Sequence, residues 1–217
     1  INLFATFSNC QKIDMTNLNT RFKFKTDKSQ TVDTRSTFAS LLSSNSPSSI
    51  TAFKDVKVVS CSGMFKSWSK FNADVSKINC VPNAANGQID ISNMFVKCVQ
   101  FRGTGLRNML ANIHNSRVDV SLSITNFLNN CALVDLDLTG LPLRLHGNTW
   151  GAFAGCQNLL GTGFGTLNLA AVTATSNLFD GCVKLNFRAT ASWKAPLCAS
   201  ADSMFKSCTE IESYGME

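Results

Sequence analysis

The sequence predicts an α/β solenoid of about eight coils, each made of one short parallel strand and one short helical turn. Three observations point there. Phe153, Phe179 and Phe205 recur at intervals of 26 and 26 residues; each is followed three positions on by Cys156, Cys182 or Cys208, and after three more by Leu159, Leu185 or Ile211. Self-similarity at a fixed period of this size is the signature of stacked repeats. The composition agrees: of 217 residues 44% are hydrophobic and only 16% charged, while Ser (24), Asn (21) and Thr (18) abound. Such a chain can bury a core but lacks the strong helix formers that clothe a helical bundle. Finally, short alternating runs follow the Phe–Cys segments, as a strand with one buried face requires.

In chain order, the first copy is ATFSNCQKI, with Phe7, Cys10 and Ile13. STFASLL is a weaker second copy with Phe38 and Leu41. CSGMFKSWSKF supplies Phe65, Trp68 in the Cys position and Phe71, and SNMFVKCVQF supplies Phe95, Cys98 and Phe101. SITNFLNNCALV carries Leu128, Cys131 and Val134, and the three regular copies complete the series. The intervals are 31, 27, 30, 33, 25, 26 and 26 residues. Residues 1–217 therefore read as a single repeat solenoid, with irregular, longer coils in 1–130 and regular 26-residue coils in 150–217.

Within a unit, Ser62, Ser92, Thr125, Ser176 and Asp202 stand three before the Phe position, where a small polar side chain caps a helix start. Apolar residues at offsets of minus one, zero, three and six describe one buried stripe on one or two helical turns. Neither turn is stable alone, so stacking has to supply the stability. Strands are expected at 56–59, 118–124, 134–138 and 164–169, stacked into one long parallel sheet.

The resulting pattern, (S/D)-x-M-F-x-x-C-x-x-L followed by L-x-L and a polar stretch, resembles the bacterial surface protein A-like leucine-rich repeats. The nearest subclass is the one found in bacterial surface lipoproteins and adhesins. Residues 92–101, 176–185 and 202–211 carry the likeness best, and 167–182 runs from the strand of one unit into the next Phe–Cys segment. The resemblance implies a leucine-rich-repeat-like fold, cell-surface display or secretion, and binding to a host or cell-surface protein or glycan.

The nine cysteines admit a disulfide framework or a metal site. Their placement favours buried free thiols, because Cys10, Cys98, Cys131, Cys156, Cys182 and Cys208 share one register while only Cys61, Cys80 and Cys198 lie outside it. There is no CxxC, and His114 and His146 lack partners at zinc spacing. Asp135 and Asp137 share a strand face and read as its solvated side rather than as a paired-carboxylate site. GTGFG (161–165) lacks the Lys-Ser/Thr ending of a phosphate loop, and His114 reads as a loop residue. No catalytic residue, cofactor or metal is expected.

The net charge of +6 comes from dispersed basic residues, apart from RFKFKTDK (21–28). That segment reads as a strand with one wet face rather than as a nucleic-acid patch. No run of 18 apolar residues is present, so no transmembrane segment is expected. None of the Asn residues begins an N-x-Ser/Thr acceptor, which disfavours a heavily glycosylated ectodomain and leaves bacterial or viral surfaces open. The chain starts without Met and its terminal copies carry little covering sequence, so it is expected to be a portion of a longer protein, with at least one end packed on another domain or chain. Two function classes compete. One is a noncatalytic recognition or adhesion module; the other is a structural component of a virion, fibre or surface assembly, with neighbouring subunits as partners.

Overall fold

The computed structural model describes residues 1–21, 31–82, 87–116, 120–188 and 193–211. Among the described residues the chain is a mixed α/β structure of few helices and short parallel strands. Its helices are α1 (Leu18–Arg21) and α2 (Leu106–Ser116). The strands are β1 (Thr31–Asp33), β2 (Lys57–Ser60), β3 (Gln88–Asp90), β4 (Ser121–Ser123), β5 (Arg144–Asn148) and β6 (Asn168–Ala174). They form two parallel sheets, ordered β1-β2 and β3-β4-β5-β6. Isolated parallel bridges from Asn2 to Asp33 and from Ala174 to Ser200 extend the pairing at either side. Val32, Val58, Ile89, Leu122, Leu145, Leu169 and Val172 point inward and are buried; the short strands bury the middle of a polar–apolar–polar run, while β6, whose pairing with β5 shifts register, buries two residues three apart.

The single long sheet expected from the sequence is thus divided between β2 and β3. Val58 of β2 donates its N–H to the Asn79 carbonyl and accepts from the Val81 N–H, each at 2.9 Å, so the segment 79–81 occupies the edge β3 would use. A bond from the Cys61 N–H to the Asp90 carbonyl, at 3.2 Å, links β2's end with β3.

The helical turns predicted at the Phe–Cys segments are instead runs of overlapping β-turns. Two residues in each segment, two before and two after the Phe position, have positive φ: Ala5 and Asn9, Ser36 and Ser40, Gly63 and Ser67, Asn93 and Lys97, Asn126 and Asn130, Gly151 and Gly155, Asn177 and Gly181, and Ser203 and Ser207. A right-handed helix does not admit such residues. Fourteen of these sixteen are Asn, Ser or Gly, whose small or locally hydrogen-bonding side chains reduce the cost of the left-handed region. The residues expected to cap a helix do other work: Thr125 Oγ1 donates to the Asn148 carbonyl at 2.6 Å, and the Ser92 and Ser123 hydroxyls pair at 3.0 Å.

The same segments are joined to one another by backbone bonds. The N–H groups at the Phe position and two residues to either side donate to carbonyls three before, one before and one after the next segment's Phe position, at 2.6–3.1 Å throughout. Phe65, for example, donates to Met94, and its neighbours Gly63 and Ser67 donate to Ser92 and Val96. Alternate peptide groups therefore point to opposite neighbours, as in a parallel sheet, although the chain is turning.

Other expectations are corrected locally. Residues 134–138 alternate buried Val134, Leu136 and Leu138 with exposed Asp135 and Asp137, but no strand forms there; Asp137 accepts the Thr139 N–H in a turn. Residues 164–166 are a 3₁₀ turn, and strand β6 begins only at Asn168. Gly163, at φ 77°, starts that turn against the Leu138–Thr139 peptide, where any side chain would collide. Of 118–124, Ser121–Ser123 is strand, whereas residues 118 and 119 lie outside the described residues. So do residues 22–28 of the basic–aromatic segment. His114 stands in the last turn of α2 rather than in a loop, since Leu106, Met109, Leu110 and Ile113 give that stretch a buried helical stripe.

Candidate functional site

Two features recur from segment to segment: an inward column of rings and thiols, and an outward strand face. In the column, Phe7, Phe38, Phe65 and Phe95 stack in succession at centroid distances of 5.6, 5.9 and 5.6 Å, with interplanar angles of 2°, 6° and 18°. Phe153, Phe179 and Phe205 form a second stack at 5.4 and 5.6 Å. Leu128 occupies the ladder position between the two stacks; it has no ring to pass on, and Phe95 meets Phe127 edge-on instead. Phe38, the weakest copy by sequence, is fully buried and stacked on both faces. Phe65, Phe95, Leu128 and Phe179 are fully buried, Phe153 nearly so, and Phe7 and Phe205 only half-buried.

The register thiols perform a specific task. Each of the five after Cys10 donates to the carbonyl at the Phe position of the preceding segment: Cys98 to Phe65 at 3.1 Å, Cys131 to Phe95 at 2.9 Å, Cys156 to Leu128 at 3.2 Å, Cys182 to Phe153 at 3.0 Å and Cys208 to Phe179 at 3.1 Å. These S–H bonds run opposite to the backbone N–H bonds, so neighbouring segments are tied in both directions. Trp68, standing in the Cys position, sends its indole N–H to the Ser44 carbonyl at 2.8 Å. Burial pushes the Cys131 and Cys182 thiols up to about 12 and the half-buried Cys208 to about 11; Cys98 and Cys156 also lie well above the ordinary thiol value for the same reason. A thiol held neutral is a poor nucleophile and a poor metal ligand. Burial lapses at the ends of the register, where Cys10 is exposed and Cys208 partly so.

The outward strand face presents Asp33 and Arg35, then Gln88 and Asp90, then Ser121, Ser123 and Thr125, then His146, Asn148 and Trp150. Arg35 closes on Asp33 at 2.7 Å and lies 5.3 Å over the Phe4 ring. Partial burial raises the Asp33 carboxyl, but the Arg35 hydrogen bonds and charge outweigh it and leave the group below the usual carboxylate range. Gln88 Nε2 meets His146 Nε2 at 3.1 Å, and the Trp150 backbone N–H donates to Asn148 Oδ1 at 2.8 Å, the residue being 43% exposed. The exposed Asp137, held by Thr139, likewise stays below its ordinary value. Among the described residues no three His, Cys, Asp or Glu side chains are grouped to hold a metal ion, and no helix is long and apolar enough to cross a membrane. Sequence reasoning reached this face only at 118–124; its signal elsewhere was the polar residue alternating with Val32 and Ile89.

A family model described as "Mycoplasma protein of unknown function, DUF285" matches residues 1–127 and 148–214. The chain belongs to this family. The DUF285 match takes in the Phe–Cys segments around Phe7, Phe38, Phe65, Phe95, Phe153, Phe179 and Phe205. The stretch it leaves out begins at Leu128, where the aromatic column is broken. No curated protein and no solved structure matches the chain.

Proposed function

We propose that this DUF285 chain is a noncatalytic recognition module, displayed at a cell surface, that binds a host or cell-surface protein or glycan. In this reading the segments are about eight coils of a leucine-rich-repeat-like solenoid of the bacterial surface protein A-like kind. The observation that carries it is the division of labour along each strand. Inward positions are apolar and fixed by packing, whereas outward positions pass through Asp, Arg, Gln, Ser, Thr, His, Asn and Trp without disturbing the backbone bonds. A stack of this design varies its outer face freely, so recognition is spread over a surface instead of concentrated in a catalytic cluster. Exposed Trp150, beside His146 and Asn148, has the amphipathic chemistry that anchors interfaces.

The test is direct binding of the purified chain to immobilised surface proteins and to a glycan array. Saturable binding is expected, weakened about tenfold or more by Trp150→Ala. Absence of binding together with concentration-dependent self-association in light scattering would overturn the reading and favour an assembly component.

A further inference from the structure

Cys61 and Cys80 stand outside the thiol register, and the fold brings them together. Cys61 lies four residues before Phe65, at the inward position that Thr34, Ile91 and Ile124 fill elsewhere. Cys80 belongs to the long excursion that follows Phe71, and the bonds of Asn79 and Val81 to Val58 clamp it beside β2. Both side chains are enclosed, at 0% and 2% exposure, and their sulfurs lie 2.7 Å apart. That separation is well inside the roughly 3.5–4.0 Å at which unbonded carbon atoms rest and not far from the about 2.05 Å of an S–S bond. The register thiols Cys98, Cys131, Cys156, Cys182 and Cys208 differ in kind, since each is committed to a backbone carbonyl one segment away.

We propose that Cys61 and Cys80 are a disulfide-forming pair that fastens the 79–81 excursion to β2. The oxidant is a small-molecule or protein disulfide. One thiolate attacks it to give a mixed disulfide and release one thiol; the second cysteine then displaces the remaining thiol, so that two S–H bonds are exchanged for one S–S bond and the external disulfide leaves as two thiols. The neighbouring Cys80 and complete burial hold the Cys61 thiol well above its ordinary value, which slows attack in the folded chain and places oxidation before the coil closes. Once closed, the same burial shields the bond from reductants.

The inference draws on the surface reading only for the source of oxidant in the cell. Refolding the full chain in a glutathione and glutathione-disulfide buffer supplies its own, so either idea can fail while the other stands. The product is alkylated in denaturant, digested without reduction and mapped by mass spectrometry. One cross-linked peptide pair joining Cys61 to Cys80 is expected, lighter by two hydrogens, with the remaining seven cysteines alkylated. Reductant should lower the urea midpoint of the wild-type chain and leave that of Cys61→Ala/Cys80→Ala unchanged. Nine alkylated cysteines after oxidative refolding, or a bridge through a register cysteine, would overturn the proposal, and the wild-type map decides it even if the double variant does not fold.

Discussion

Phe179→Ala tests whether the stacked rings hold neighbouring segments together. Phe179 is fully buried, with Phe153 at 5.4 Å on one face and Phe205 at 5.6 Å on the other, and Phe164 edge-on at 5.9 Å. The site cannot collapse easily, because the Phe153 and Phe179 amides bond across to Leu178 and Met204, each at 2.9 Å, and fix the spacing. Losing the buried ring costs about 2 kcal/mol of transfer energy and the two stacked faces about 1 kcal/mol each, giving about 4 kcal/mol, inside the range for Phe→Ala in cores. Phe205→Ala removes a half-buried ring with one facing partner in the Phe column and is expected to cost about half as much. Phe179→Leu, which copies the residue at 128, keeps most of the volume and should cost about 1–2 kcal/mol. Urea unfolding followed by tryptophan fluorescence reads all three, with Trp193 stacked 6.2 Å from Phe179 as a local reporter. If Phe179→Ala lies within about 1 kcal/mol of wild type, or Phe205→Ala costs as much, the stack is not the source of cohesion.

The thiol ladder predicts alkaline sensitivity. Cys131 and Cys182 ionise near 12 when folded and near 9.0 otherwise, so the unfolded chain sheds protons first as pH rises, and stability falls between those values. By about pH 10 these two thiols should remove about 3 kcal/mol, with Cys98 and Cys156 acting in the same direction; a urea midpoint unchanged up to that pH contradicts their neutral burial. Thiol-reactive probes should label Cys10 quickly in the native chain and Cys98, Cys131, Cys156 and Cys182 only after unfolding, and rapid native labelling of any of these four would exclude the hydrogen bonds assigned to them. Lys97→Asn should stabilise the chain by about 0.5–1 kcal/mol, because Lys97 has φ 60° in a position its counterparts fill with Asn, Ser or Gly; a destabilised variant in the same urea assay would show that φ does not govern that choice.

The recurrence of Phe153, Phe179 and Phe205 was legible because an inward ring and the thiol three residues on are dictated by packing, and packing repeats with the chain. The turn conformation was not, because a 3₁₀ helix and overlapping β-turns share the same three-residue hydrogen-bond step and the same apolar offsets. They differ in the sign of φ. That sign was written in Asn126 and Asn130, Gly151 and Gly155, and Asn177 and Gly181, which attention to the small polar residue three before the Phe position overlooked. The helix α2 was equally visible in Leu106, Met109, Leu110 and Ile113, but the stretch lies between Phe–Cys segments and its His114 was read as a loop residue. Cys61 and Cys80 are 19 residues apart with no local pattern between them, so only the tertiary course of 79–81 reveals their meeting.

The matching edges of successive segments have a consequence for heredity. From the Phe65 segment onward, each segment offers its follower the same three amide donors and receives the same S–H donor in return, so at the level of these bonds one such unit can stand in for another. Recombination between copies that gains or loses a whole unit keeps the bonding pattern at each junction, whereas inserting or deleting one residue inside a Phe–Cys segment shifts its donors and acceptors against both neighbours. Genes for such chains are thereby free to differ in length by complete units while the spelling of each unit's interior stays constrained, and family members should vary in copy number more readily than in the spacing from ring to thiol.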